Sequence, residues 1–226
     1  MRLAELSERS GVPSATIKYY LREELLPAGL RITATQAEYG EEHLRRLRLV
    51  RALIQIGRVP VATAREVLAA LEDESLDQHR RLGAATWALP HGPAPDESDP
   101  ATGAARREVD RLLADLDWRF SSGTADSSPP YRMLVTAVTA LMKLGYPCDS
   151  AHLAPYARIA AQLATRDLDM IEERDTPMEQ VEAAVTLTVL YEPVLLSLRR
   201  LAEAEESNRR FGKGNETGAG AGAGAG

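Results

Sequence analysis

One stretch limits the possible folds of this chain more than any other. It begins at Gly11 and reads GVPSATIKYYLREELL. Gly11 can adopt the positive φ angle that a tight turn between two helices needs. Pro13 suits the first turn of a helix, where its missing N–H would have no partner in any case. Ile17, Leu21 and Leu25 recur every four residues, and this spacing predicts one buried helix face. The stretch therefore predicts a turn followed by an amphipathic helix.

The same helix, which we expect to end near Leu26 and Pro27, has an outward face suited to DNA. Small or polar side chains begin this face, and two cations and a tyrosine hydroxyl follow: Ser14, Ala15, Thr16, Lys18, Tyr19 and Arg22. Such a series suits the floor of a DNA groove flanked by phosphates. An ordinary amphipathic helix with a solvated basic face would show the same pattern, so this helix alone leaves both interpretations open.

Charge is distributed unevenly along the chain. Residues 1–58 carry ten Lys and Arg against seven Asp and Glu, a net charge of +3. Residues 59–226 carry seventeen against twenty-six, a net charge of −9. The total of −6 therefore hides a basic N-terminal part, and this asymmetry permits an anionic partner there without proving one.

Cysteine and hydropathy patterns limit the class of protein. The single cysteine, Cys148, excludes an internal disulfide framework and any site built from several thiolates. We expect no apolar run to be long enough to span a bilayer. Glu5, Glu8 and Arg9 interrupt the N-terminal segment, which argues against a secretory signal. These patterns predict a soluble, cytoplasmic protein without a membrane partner.

The segments around the amphipathic helix predict a small domain at residues 1–71. A first helix is expected over residues 2–10, and residues 30–33 and 37–39 can pair as a small β-ribbon, or wing. A helix from residue 41 to residue 56 and a shorter helix from residue 61 to residue 71 follow. On the first of these two helices, apolar residues face inward, and the arginines expected on the outward side are Arg45, Arg46 and Arg48.

Four motifs in this order resemble the DNA-binding domain of the MerR family of transcriptional regulators. They are Thr16-Ile17-Lys18-Tyr19-Tyr20, Leu25-Leu26-Pro27, the wing residue Tyr39, and Glu41-Glu42-His43-Leu44-Arg45-Arg46-Leu47. Two departures from the family pattern stand out. Glu24 occupies a position where the family usually has glycine, and Thr33, Thr35 and Gln36 stand in the wing where many members have arginines.

The resemblance implies a homodimer that binds a pseudo-palindromic promoter site and acts on RNA polymerase. Each subunit would place residues 14–22 in a major groove and its wing on the adjacent backbone. Lys18 and Arg22 would contact bases or phosphates. Phosphate contacts would come from Tyr19, Tyr39 and Arg45, and Thr35 and Gln36 would belong to the wing's DNA surface.

Residues 72–103 predict a connection rather than a domain. A helix is expected over residues 75–89, and prolines and glycines then mark an irregular linker. Many MerR-like proteins have a long dimerising helix in this region. The proline-rich break interrupts any such helix here.

Residues 104–211 predict a second, all-helical domain, which loosely resembles the ligand-binding domains of TetR-type regulators. Helices are expected at 104–121, 129–145, 149–173 and 177–209. The last is apolar almost all round, which predicts burial on more than one side and pairing with a second copy. The tail from residue 212 to residue 226 ends in repeated Gly-Ala, and its low complexity predicts disorder. The expected fold class is therefore mainly all-α, with an N-terminal winged helix-turn-helix, a small β-wing and a C-terminal helical bundle.

Candidate sites in the second domain are sparse. Five large side chains could line an apolar effector pocket, although core packing is the commoner role of such residues: Trp118, Tyr131, Met142, Tyr156 and Tyr191. Cys148, Asp149 and His152 lie close in sequence, but a tight metal site normally needs three or four ligands, so we expect no metal. The spacing indicates no catalytic residues and no cofactor, and we expect no enzymatic activity.

The sequence is compatible with three classes of function. The leading hypothesis is a DNA-binding regulator of the MerR type, controlled by an apolar or organic effector in the C-terminal helical domain. A ligand-binding or protein-interaction module with a degenerate DNA-binding head is the alternative. An enzyme fused to a DNA-binding head is disfavoured because no catalytic constellation can be found.

Overall fold

The structure is a computed structural model that describes residues 1–33, 36–118 and 128–212. It divides the chain into two compact units, Met1–Leu190 and Tyr191–Gly226. Thr35 and the Gly-Ala tail from residue 213 onward lie outside the described residues.

The N-terminal domain begins with the expected helix pair and wing. Its first four elements are α1 (Leu3–Ser10), α2 (Ser14–Arg22), β1 (Leu30–Arg31) and β2 (Ala37–Glu38). The two strands pair antiparallel, with Leu30 opposite Glu38. The expected wing is therefore present, with strands shorter than predicted.

Three further helices complete this part of the chain. They are α3 (Glu41–Arg51), α4 (Val61–Glu72) and α5 (Gln78–Trp87). The helix expected from residue 41 to residue 56 is present, but its last part, Ala52–Ile56, is a π-helical turn rather than α-helix. We refer to this turn as the π segment.

Helix α2, which we call the recognition helix because it is expected to lie in the DNA major groove, ends earlier than the sequence predicts. Glu24 follows it with a φ angle of 59°, in the left-handed region, at the position where the family usually has glycine. The N–H of Leu25 then donates to the carbonyl of Tyr20 at 2.9 Å, and the N–H of Glu24 donates to the carbonyl of Leu21 at 3.4 Å. This pattern is a Schellman cap, which turns the chain sharply so that Leu25 is buried outside the helix.

One apolar core holds the N-terminal elements together. Its largest fully buried side chains include Leu6, Ile17, Leu25, Leu47, Leu53, Leu68 and Leu71. Val181 and Val185, from the last helix, are buried in the same core. This packing differs from the expected assignment of the whole of residues 104–211 to a separate bundle.

A second, smaller core forms among the next three helices, α6 (Pro100–Asp115), α7 (Pro129–Lys143) and α8 (Ser150–Glu172). Its buried members are Ala105, Val109, Tyr131, Val135, Val138 and Cys148. The expected order of helices is confirmed, but α6 begins at Pro100 rather than at residue 104. Asp99 explains this start, because its carboxylate caps the helix by accepting from the N–H of Ala101 at 2.9 Å.

The last helix, α9 (Pro177–Phe211), is the longest in the described part of the chain. Its buried side chains all lie near its start, at Val181, Ala184 and Val185. The expected burial on more than one side is therefore not seen within this single chain. The expectation that no apolar run is long enough to span a bilayer was wrong, because α9 is long and apolar enough by length and composition. A core helix of a soluble protein meets the same criteria, so this property alone does not indicate a membrane.

Candidate nucleic-acid interface

The turn between α1 and α2 is held by short polar contacts. Gly11 has a φ angle of 66°, as the sequence predicts for this turn. The hydroxyl of Ser7 donates to the carbonyl of Val12 at 2.7 Å, and the N–H of Val12 donates to the Ser10 hydroxyl at 3.2 Å. Because Val12 is buried, these bonds satisfy backbone groups and fix the direction in which α2 leaves the turn.

The buried side of α2 determines which side chains remain available to DNA. Ile17 and Tyr20 are buried, and burial raises the pKa of the Tyr20 hydroxyl. On the opposite side Ala15, Lys18 and Arg22 are exposed. The structure therefore places the two predicted DNA-contacting cations on one exposed face.

The other predicted residues of α2 border that face. Ser14, Thr16 and Tyr19 are half-buried. The guanidinium of Arg22 lies 5.8 Å from the centre of the Tyr19 ring, close enough for a cation–π interaction. Tyr19 therefore orients a cation at the end of the recognition helix.

Two arginines outside α2 support its C-terminal end. Nε of Arg65, on α4, donates to the carbonyl of Glu23 at 2.9 Å, and its Nη2 lies 2.9 Å from the Glu23 carboxylate. Nε of Arg46 donates to the carbonyl of Leu25 at 3.0 Å. These contacts satisfy carbonyl groups at and just beyond the helix end, where intrahelical partners are missing.

Arg46 is predicted to lie on the outward side of α3, and this prediction is wrong. It is buried, with Nη2 2.9 Å from the Glu72 carboxylate, and burial lowers the pKa of its guanidinium. Arg65 was not singled out at all. The sequence hardly indicates that these two arginines bind backbone carbonyls, because a hydropathy pattern does not show which carbonyls lack a donor.

Tyr39, which is predicted to contact DNA phosphate, also has a structural role in the wing. It is 8% exposed and packs edge-on against His43, with ring centroids 5.2 Å apart. A Cβ atom on Gly29 would lie 2.8 Å from the Tyr39 ring, so the close approach of the wing requires glycine there. The Tyr39 carbonyl also accepts from the N-terminal ammonium of Met1 at 2.8 Å. The tyrosine therefore anchors the wing.

The wing presents few cations. Arg31 is exposed, and its Nε donates to the carbonyl of Thr33 at 3.3 Å. Gln36, predicted to contact DNA, is also exposed. The predicted wing residue Thr35 lies outside the described residues.

Arg45, the last predicted DNA contact, is exposed on α3 and points toward α9. Its Nη1 lies 3.3 Å from Oε1 of Glu179. Glu182, one turn further along α9, is half-buried, and burial raises the pKa of its carboxyl while Arg45 and Arg46 oppose the rise. DNA phosphate would therefore have to compete with α9 for the Arg45 guanidinium.

The five predicted effector residues do not form one shared pocket wall. Tyr131 is buried in the second core and donates its hydroxyl to Asp110 at 2.7 Å, and its pKa is raised to about 12, chiefly by burial. Met142 packs against the same core. Trp118 and Tyr156 are exposed, and Tyr191 belongs to the other compact unit.

The Cys148 region has structural roles. Cys148 is buried, and burial raises the pKa of its thiol. Asp149 caps α8 by accepting from the N–H of His152 at 2.9 Å, and this bond lowers the pKa of its carboxyl. Among the residues that the structure describes, no group of three or more His, Cys, Asp and Glu side chains is arranged to hold a metal.

Comparison with known proteins agrees with this geometry. Residues 1–71 match the family described as MerR HTH family regulatory protein. The crystal structure of SCO5550, a candidate transcriptional regulator from Streptomyces coelicolor A3(2), is similar over 94% of this chain and 99% of that chain, with 57% sequence identity and a TM-score of 0.81. No curated protein matches the chain.

The winged helix-turn-helix, with two cations on the exposed face of α2, defines a DNA-binding transcriptional regulator. The chain belongs to the MerR family of helix-turn-helix regulatory proteins.

Proposed function

We propose that this protein is a MerR-type regulator that binds pseudo-palindromic promoter DNA as a homodimer, with α2 of each subunit in a major groove. The observation that carries the proposal is the exposed face of α2. Lys18 and Arg22 lie about one helical turn apart on that face, while Ile17 and Tyr20 anchor the opposite side in the core. A rigid helix with exposed cations is what base and phosphate contacts need.

The spacing of apolar residues on α9 supports the homodimer. Tyr191, Val194, Leu198 and Leu201 follow one another at intervals of three, four and three residues, the pattern of a coiled-coil seam. All four are exposed, Leu201 by 67% and Leu198 by 56%. A second copy of α9 would cover this stripe, which would otherwise remain in water.

The wider role follows from the family. The regulator would work in the cytoplasm without catalysis and would influence RNA polymerase at the bound promoter. A small organic effector would control it by binding two arrangements of the protein with different affinity.

A second candidate function is a ligand-binding or protein-interaction module whose DNA-binding head is degenerate. Its support is the weakly charged wing and the engagement of Arg45 by Glu179. Both features remove cations from the expected DNA surface.

Selection of sites from a library of random DNA duplexes separates the two candidates. The full-length protein is incubated with the library at about 0.15 M salt, where non-specific electrostatic binding is weakened. The proposed function predicts enrichment of an inverted repeat. Recovery of random sequence would favour the degenerate head.

A further inference from the structure

A cavity of about 710 Å³ lies within the unit Met1–Leu190, between the DNA-binding domain and the start of α9. One wall consists of α3 and the π segment. The other consists of the connection after α8 and the first turns of α9. The volume is sufficient for a drug-sized molecule.

The floor of the cavity is apolar. Leu49, Ala52 and Ile56 contribute from the first wall, and Leu187 and Leu190 from the second. Two of these residues belong to the π segment, and π-helical turns within helices often occur at functional sites.

Close packing beside the cavity links its two walls. A Cβ atom on Gly57, just after the π segment, would collide with Cγ1 of Val189 on α9. Glycine therefore allows α9 to approach the π segment. An occupant of the cavity would touch both elements at once.

Arg45 and Arg46, the two cations that lower the pKa of Glu182, already have other carboxylate partners. Arg45 is paired with Glu179 at 3.3 Å, and Arg46 with Glu72 at 2.9 Å. The Glu182 carboxylate lines the cavity half-buried, and within the described residues it has no hydrogen bond or ion pair of its own. A partly desolvated carboxylate without a partner is energetically costly and is stabilised by a positive group.

The remaining charges around the cavity lie at more exposed positions. Glu173 and Asp175 add negative charge, and both are exposed. Arg48, Arg51 and Arg174 add positive charge, and all three are exposed, with Arg51 donating to the Gln55 side-chain oxygen at 3.0 Å. Water screens the charges of these exposed groups. The half-buried Glu182 carboxylate therefore determines which ligand charge the cavity favours.

We propose that this cavity binds an organic cation with an apolar body, whose amine or guanidinium group pairs with Glu182 and whose apolar part covers Leu187 and Leu49. The proposal rests on the proposed function in treating this molecule as the effector. Glu179, which holds Arg45, lies one turn before Glu182 on the same side of α9. A ligand in the cavity would therefore change the access of Arg45 to DNA.

Two probes that share one fluorophore test the site in the full-length protein. Dansylcadaverine carries a primary amine and dansylglycine carries a carboxylate. We expect dansylcadaverine to bind saturably, with at least about tenfold higher affinity than dansylglycine, which corresponds to about 1.4 kcal/mol. Preference for dansylglycine, equal binding, or no saturable binding up to about 1 mM would overturn the proposal.

Variants test the position of the site. Glu182→Gln keeps the side-chain shape and should weaken dansylcadaverine binding about tenfold. Ala183→Leu, which adds bulk within the cavity, should weaken it as well, and circular dichroism confirms that each variant is folded. Glu192→Gln removes an exposed carboxylate further along α9 and should have no effect. Unchanged binding in Glu182→Gln would contradict the site.

DNA binding is measured separately on the same samples. Probe binding with no selected DNA site would contradict the proposed function and leave the cavity intact. DNA binding without probe binding would contradict the cavity site alone.

Discussion

Arg46 Nη2 lies 2.9 Å from the Glu72 carboxylate, and through its Nε the same buried guanidinium also binds the carbonyl of Leu25 at 3.0 Å. The segment that follows the recognition helix is thereby joined to α3 and α4. The direction of α2 depends on this connection, although Arg46 itself is withdrawn from the surface.

Arg46→Ala should lower the free energy of unfolding by about 1–3 kcal/mol, because it leaves the buried Leu25 carbonyl without its donor. Arg48→Ala, a matched change of an exposed arginine on the same helix, should alter it by less than about 0.5 kcal/mol. Urea denaturation of both variants measures the difference. Equal midpoints would show that Arg46 carries no structural role.

Glu24→Gly should stabilise the protein by about 0.5–1 kcal/mol. At a φ angle of 59°, a side chain with a Cβ atom is strained and glycine is not. The control is Glu24→Ala, which removes the carboxylate but keeps the strain. If both variants gain the same stability, the effect comes from the charge and not from the backbone conformation.

Ile17→Asp and Ala15→Asp form a second matched pair on α2. Ile17 is fully buried, so an aspartate there should cost more than about 4 kcal/mol and unfold the DNA-binding domain. Ala15 is exposed, so the same change should leave the fold intact and weaken DNA binding by placing negative charge at the phosphates. Thermal unfolding and DNA binding together distinguish the two effects. A folded Ile17→Asp variant would contradict the placement of the core.

Leu198→Glu combined with Leu201→Glu should convert the proposed homodimer to a monomer, because it places charge within the proposed seam on α9. Arg200→Glu adds negative charge beside the seam and should remain dimeric. Sedimentation equilibrium reports both masses. Point substitutions are preferable to truncation, since removal of α9 would take Val181 and Val185 out of the N-terminal core. A dimeric double variant would place the interface elsewhere.

The local features of the DNA-binding domain follow from the sequence. The four-residue spacing of Ile17 and Leu21, the glycine at position 11 and the turn residues of the wing all depend on neighbours along the chain. The recognition helix and wing are accordingly found close to their predicted positions. Glu24 shows the same principle, since its departure from the family pattern marks the residue that adopts a left-handed conformation.

Contacts between distant segments could not be predicted in this way. Hydropathy shows that Val181 and Val185 need an apolar partner, but it does not show that this partner is the N-terminal core. The apolar spacing of α3 places Arg46 on the outward side, whereas the carbonyl that it satisfies lies 21 residues earlier in the chain. The cavity beside Glu182 likewise combines residues far apart in sequence.

The most direct test of the account is the salt dependence of binding to the selected DNA site by the wild type and by Lys18→Ala. Lys18 is exposed on α2, so the substitution should leave the fold intact, weaken binding by about 1–3 kcal/mol and, if the contact is to phosphate, reduce the salt slope by about one. Arg107→Ala, which removes an exposed arginine on α6, should change neither quantity. Wild-type affinity and slope in Lys18→Ala would contradict the placement of α2 in the DNA groove.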